Sequence, residues 1–388
     1  MTRFASIAGA LLATTSIATA APLDRSGQSV EDIVYAEGDY VELSFSRVDP
    51  DVTGNQIAGV PPGVTGPGTG DVAEGYNNFS FGMKYDLTEN VSLALIYDKP
   101  FGVDVAYRQP GNLLTGTAAS LSTDTVTGIV KYSFPENTSV FGGLRYQRLD
   151  ATATVPLTPN PGAGIPLGGL YSVTSETDYA TGYVLGVAYE RPEIALRVAL
   201  TYNSEIEHSA GVTETVQART PTGAFVPALT APGTTTLTTP QSINLEAQSG
   251  VAPGTLVFGS IRWVDYSEFT IAPPRFTALS GRPLSSYDND LWFYTIGVGR
   301  AVTDKLSVAG TIEYVNEEDA VVSALSPSDG RISIGLGGTY DVTDSIEIGV
   351  GARYIMLGDT VAGAGGVPIE SFTDNTAIAA GFSIGYSF

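Results

Sequence analysis

The 388-residue chain holds a single histidine and no cysteine, so few of its side chains are equipped for proton or group transfer. The one imidazole, His208, stands between Glu207 and Ser209, which brings together the residue types of a serine hydrolase. Adjacency does not make a triad, because the groups of a triad are recognised by converging geometry. Asp49-Pro50-Asp51-Val52-Thr53-Gly54 opens like a calcium loop, yet Val60 stands where the closing bidentate Glu belongs. Glu317-Glu318-Asp319 offers carboxylates to a divalent ion or to metal-bridged lipopolysaccharide, but reads more readily as a solvated loop. The absence of thiols excludes Cys-based zinc sites and thiolate catalysis. The sequence therefore predicts no enzyme, no cofactor and no metal.

Arginines are the remaining candidates. Arg145, Arg197, Arg262 and Arg353 share one parity of their alternating runs, while Arg148 lies near the outer end of its run. A guanidinium matches a carboxylate through two parallel hydrogen bonds. Its partner is either an acidic ligand or one of the 41 Asp and Glu residues, which outnumber the 19 Lys and Arg. The net charge of −22 argues against nucleic acid, whose phosphates need a basic face.

The segments that carry these residues repeat with a period of two. Phe382, Ile384, Tyr386 and Phe388 alternate with Gly381, Ser383, Gly385 and Ser387, and Ile346 to Tyr354 repeats the pattern. One face is apolar and aromatic, the other small or polar. Fourteen such segments are predicted, at 39–47, 77–87, 91–98, 122–134, 138–150, 173–190, 193–207, 234–248, 254–270, 288–301, 305–315, 331–341, 345–356 and 376–388. Tight turns alternate with long loops between them, and many segments reach the length that crosses a bilayer at a tilt. Aromatics gather at segment ends, as interfacial girdles require. The expectation is all-β, a 14-stranded antiparallel transmembrane barrel over residues 39–388. Residues 1–20 read as a secretory signal, with Arg3, a small apolar core and Ala18-Thr19-Ala20 before cleavage. If Ile261 and Trp263, and Trp292 and Tyr294, face lipid, then Leu256, Phe258, Leu291 and Phe293 face inward, lining a cargo route or packing against a plug.

Leu23-Asp24-Arg25-Ser26-Gly27-Gln28, followed by Gly38-Asp39-Tyr40-Val41-Glu42-Leu43-Ser44, resembles the FadL/TodX family of outer-membrane transporters. Tyr97-Asp98-Lys99-Pro100-Phe101-Gly102, Gly143-Leu144-Arg145-Tyr146 and Ile261-Arg262-Trp263-Val264-Asp265-Tyr266-Ser267-Glu268-Phe269 extend the resemblance. It implies an outer-membrane location in a Gram-negative bacterium, contact with lipid and lipopolysaccharide, a monomer, and passive transport of a hydrophobic small-molecule ligand such as a long-chain fatty acid. It also implies loop capture, an inner pocket, and lateral release at the third strand. In this chain the hatch would be residues 21–38, including Leu23 to Gln28, and the gate would involve Pro100, Phe101 and Gly102. The ligand candidates are Arg145, Arg148, Leu256, Phe258, Arg262, Leu291 and Phe293. The alternative is a general diffusion porin for small polar solutes.

Overall fold

In the computed structural model, the described residues are 23–57, 66–316, 321–364 and 367–388. The signal segment 1–20 and Glu317 to Asp319 lie outside them. Fourteen strands close into one antiparallel barrel. They are β1 (Tyr40–Asp51), β2 (Tyr76–Asp86), β3 (Val91–Asp98), β4 (Ala118–Ser133), β5 (Thr138–Leu157), β6 (Asp178–Arg191) and β7 (Leu196–Asn203). The circuit continues through β8 (Ser242–Ala252), β9 (Thr255–Val264), β10 (Leu291–Ala301), β11 (Leu306–Val315), β12 (Arg331–Asp341), β13 (Ile346–Leu357) and β14 (Thr376–Ser387). Closure is made by β1 against β14, from Tyr40 opposite Ser387 to Asp51 opposite Thr376. Pairing all the way round satisfies the backbone groups that lipid cannot.

Alternation sets the two faces. In β1, Leu43 and Phe45 are exposed while Glu42, Ser44 and Ser46 are buried. Leu144, Ile296 and Leu336 stand outward at 74%, 61% and 68% exposure, a density of bare apolar side chains that suits lipid and not water. Aromatics mark both ends of this band. Tyr132 and Phe134, 4.8 Å apart, and Tyr386 and Phe388, 5.8 Å apart, sit at the tight-turn end. Tyr146 stacks on Tyr179 at 5.6 Å at the loop end.

Several predicted boundaries change above the membrane. The segment 173–190 is two strands, Gly169–Ser175 and β6, broken at Glu176-Thr177. The segment 254–270 stops as a strand at Val264. The loop expected at 208–233 is instead a long hairpin of Ile206–Arg219 with Phe225–Thr239, which also takes in the first residues assigned to segment 234–248. Its first strand pairs with Gly169–Ser175, which pairs in turn with the outer end of β5. Threonine and serine obscure its alternation in the sequence, but Ala210, Val212, Glu214 and Val216 are all buried on one face. Buried Glu214 accepts from Tyr171 Oη at 2.8 Å and from the backbone N–H of Arg275 and Phe276, which tethers the short helix Pro274–Ser280 to the hairpin.

Candidate functional site: a lumen in two chambers

The N-terminal residues lie inside the barrel. Val30, Ile33 and Val34, in and beside the single helical turn Glu31–Val34, pack on the inward side chains Ala94, Ile96, Ile129, Phe141 and Val184. Gly82 lets this happen, because a Cβ there would collide with Ile33. The Tyr35 hydroxyl meets Ser139 Oγ at 2.9 Å, and Glu31 accepts from Thr201. Burial pushes the Tyr35 phenol up to about 12.

Toward the outer end, Leu23 forms part of the floor of an apolar chamber. Val103, Leu121, Leu149, Val173, Ala210, Val212, Leu237, Phe269, Leu284 and Leu325 line it, with no charged side chain in its described lining. Hydroxyls on the wall are partly engaged elsewhere. Ser120 donates to Asp104 at 2.7 Å, and Ser175 Oγ accepts from the Ala151 N–H at 2.8 Å.

Toward the inner end lies a second chamber, whose lining adds charged side chains to the apolar Phe258 and Phe293. Asp24, Asp32, Glu246 and Glu313 face Arg197, Arg262 and Arg353 across it. Four of these charges are held in ion pairs. Arg262 binds Asp24 Oδ2 at 2.5 Å and Gln28 Oε1 at 3.2 Å, and Glu313 takes Arg331 at 2.8 Å and Arg353 at 3.4 Å. Such pairs offset the desolvation of each ion only while both partners stay in place.

The sequence-derived ligand candidates do not converge. Arg262 and Phe258 line the inner chamber, and Phe293 lies beneath the Arg262 guanidinium at 5.0 Å. Leu256 packs with Phe258 and Ala309, and Leu291 belongs to the cluster around Tyr266 and Phe269. Arg145 is buried and donates to the Ser204 carbonyl at 3.4 Å. Arg148 has the parity of outward-facing Leu144 and Tyr146 and is held by Asp124 and Asp150, so it does not reach the lumen. Sequence reading missed the outer chamber because its lining comes from strand ends and loops. His208 Nδ1 lies 3.0 Å from Asp178 and Nε2 lies 3.0 Å from Gln147, with no serine hydroxyl in the place of a nucleophile.

The wall is interrupted between β2 and β3. On its β1 side, β2 is paired from Lys84 to Tyr76. On its β3 side the ladder stops at Phe81 opposite Tyr97. Beyond Asp98, which faces Thr125, the chain passes through Lys99, Pro100 and Phe101 and rejoins β4 with Gly102 opposite Ser122. One extra residue on this side bends the strand away from β2, and the proline leaves one donor fewer there. Pairing across the break resumes at Ala73 opposite Val105, which leaves a window in the wall. Behind the window run Leu23 to Ser26: the Arg25 N–H donates to the Pro100 carbonyl and the Gly102 N–H to the Leu23 carbonyl, both at 2.8 Å.

Solved structures share the barrel fold. A Pseudomonas aeruginosa FadL homologue superposes with a TM-score of 0.78 at 15% identity, covering 99% of this chain and 98% of that one. The Pseudomonas putida toluene transporter TodX gives 0.67 at 12%, covering 91% and 90%, and the Ralstonia pickettii toluene transporter TbuX gives 0.66 at 13%, covering 93% and 92%. No curated protein sequence matches the chain. The family model for outer membrane protein transport proteins (OMPP1/FadL/TodX) matches residues 33–388. By that match the chain belongs to the OMPP1/FadL/TodX family, outer-membrane barrels that transport hydrophobic compounds passively and are not enzymes.

Proposed function

We propose that the protein takes up uncharged hydrophobic molecules through the outer chamber and releases them sideways through the window between β2 and β3. The observation that carries this reading is the uncharged lining of the outer chamber, which reaches Leu23 and Val103 beside the window. An apolar cargo gains about 0.8 kcal/mol per methylene on leaving water for such a lining. The inner chamber has apolar surface of its own at Phe258 and Phe293, but passage through it would require paired ions to separate. The sideways path is therefore the cheaper one. Two of the structural relatives are toluene transporters, a cargo of the same chemistry.

A long-chain fatty acid, the cargo expected from the resemblance, would bring a carboxylate that the outer chamber does not complement. Deeper in the lumen Arg262, Arg331, Arg353 and Arg145 are already engaged by Asp24, Glu313 and the Ser204 carbonyl, and Arg197 lies over the Tyr35 ring with its Nη2 3.5 Å from Gln248 Oε1. Intact cells producing the chain test the reading with naphthalene and 2-naphthoate, which share a ring system and differ in charge. The chain should speed naphthalene entry several-fold and leave naphthoate unchanged, and Ala151→Phe, which fills the chamber, should remove the gain. Equal gain for both probes, or entry of sucrose at a matching rate, would favour a general porin.

A further inference from the structure

We propose that Arg25 is the bolt of the lateral window: its guanidinium spans the interrupted wall, and cargo leaves when that contact parts. The inference rests on the lateral-release reading above and names the residue that controls it. Arg25 Nη2 binds Asp104 Oδ2 at 2.8 Å on the detached side of the window. On the opposite side, its guanidinium carbon sits 4.0 Å above the Tyr76 ring, at the end of β2. Its own carbonyl accepts from Asn78 Nδ2 at 2.9 Å, so one residue touches both edges of the window, next to the point where they rejoin through the Glu74 N–H and the Asp104 carbonyl at 3.1 Å.

Two features separate a bolt from ordinary packing. Gly102 lies directly under the guanidinium, and a Cβ there would come within 2.5 Å of Arg25 Cζ, so this glycine keeps the contact open to arginine. Asp104 keeps about a third of its side-chain surface exposed, whereas Arg25 is buried. A pair with one partner reachable from outside can be parted without unfolding the barrel. Charge-assisted bonding and stacking of a cation on an aromatic face are each individually modest, so together they make a latch that thermal motion can open. Its neighbour Leu23 lies on the chamber floor, which places the latch where arriving cargo presses.

The test is the uptake of N-phenyl-1-naphthylamine, a neutral dye that fluoresces on reaching phospholipid, by cells producing the full chain. Arg25→Gln and Asp104→Asn should each raise the maximal rate about three- to tenfold, the range expected for losing one such contact. The dye concentration for half-maximal rate should stay unchanged, because the chamber is intact. Gly102→Ala should act in the same direction by displacing the guanidinium. Should Arg25→Gln fail to insert, judged by heat-modifiable gel mobility, Asp104→Asn reads the same contact from its exposed side. Maximal rates equal to or below wild type in correctly inserted variants would overturn the bolt, as would a matching rise in leakage of polar antibiotics. If the wild-type chain itself gives no saturable dye uptake, the transport reading fails; if it does and the variants behave as wild type, the bolt alone fails.

Discussion

The outer and inner chambers share one barrel and are separated by the few residues from Leu23 to Gln28, yet they present opposite environments. Outside Leu23 the wall is methyl, ring and hydroxyl without charge; inside Asp24 carboxylates and guanidiniums join the phenyl rings. Adjacent residues in an extended segment point opposite ways, so a single step along the chain passes from an oily surface to an ionic one. The difference shows how one strand-like stretch can serve as a floor for apolar cargo and as a barrier to it. It also shows why the window lies level with Leu23, where the apolar environment ends.

The largest effect should come from breaking the barrier. Asp24→Ala would strand Arg262, whose guanidinium is buried beneath Gln28 and beside Phe293. Removing one partner of a buried pair costs about 3–5 kcal/mol, enough to free the N-terminal segment locally without unmaking the barrel. The expected outcome is proteolytic nicking between Leu23 and Gln28 and entry of polar dyes into proteoliposomes. If the variant stays as tight as wild type, the inner chamber is no barrier and the contrast between the chambers loses its functional meaning.

A second change would erase the contrast from the other side. Leu237→Lys places an ammonium among Leu149, Leu121 and Phe269, where no described lining residue is acidic. An unpaired buried charge is costly enough that the lysine will snorkel or lose its proton. Naphthalene uptake should fall at least tenfold, and 2-naphthoate, whose carboxylate would hold the proton on the lysine, should gain entry. Uptake assays with both probes check the exchange. Unchanged selectivity would mean that cargo does not pass through the outer chamber.

How much of this was legible in the sequence follows from how strictly period and burial are linked. In β14, Phe382, Ile384 and Tyr386 read as an outward row and are one, and all fourteen spanning strands follow from that rule and from the turns between them. The inward row is written in small and polar residues whose meaning depends on what fills the lumen. Arg262 and Arg145 have the same sequence character, yet one is bound by Asp24 from the N-terminal segment and the other by a backbone carbonyl. No local pattern could distinguish them. The outer chamber was harder still, since Leu121, Val173, Val212 and Leu325 come together only when strand extensions and loops pack above the membrane.

The cap on that outer side handles buried charge differently, which gives a third, smaller prediction. Glu370 is fully buried in the external strand Val367–Phe372 and accepts from Asn112 Nδ2 at 2.9 Å. Burial holds its carboxyl above the ordinary value of 4.5. A raised value means that the folded cap binds the proton more tightly than the unfolded chain does. Its contribution is therefore complete below the ordinary value and is lost as pH rises through the raised one. Hydrogen-exchange protection over Val367–Phe372, taken relative to the intrinsic rate at each pH, should be greater at about pH 5 than at about pH 8, and Glu370→Gln should flatten that difference. The ion-paired inner chamber should show no such trend from this residue.

The smallest effect is expected at Arg148, which tests the contrast by standing outside it. Its residue type and its strand are those of Arg145, three positions away, but odd spacing turns it to the other face. There it bridges Asp124 at 3.1 Å and Asp150 at 2.6 Å, with 43% of its side chain exposed. A solvent-exposed pair of this kind contributes about 0–1 kcal/mol, and headgroup or salt ions readily replace it. Arg148→Gln should leave naphthalene uptake within a factor of two of wild type. A large loss of uptake would mean that cargo recognition begins on the outer rim, before the chamber, and that the lumen's two environments sort molecules already selected outside it.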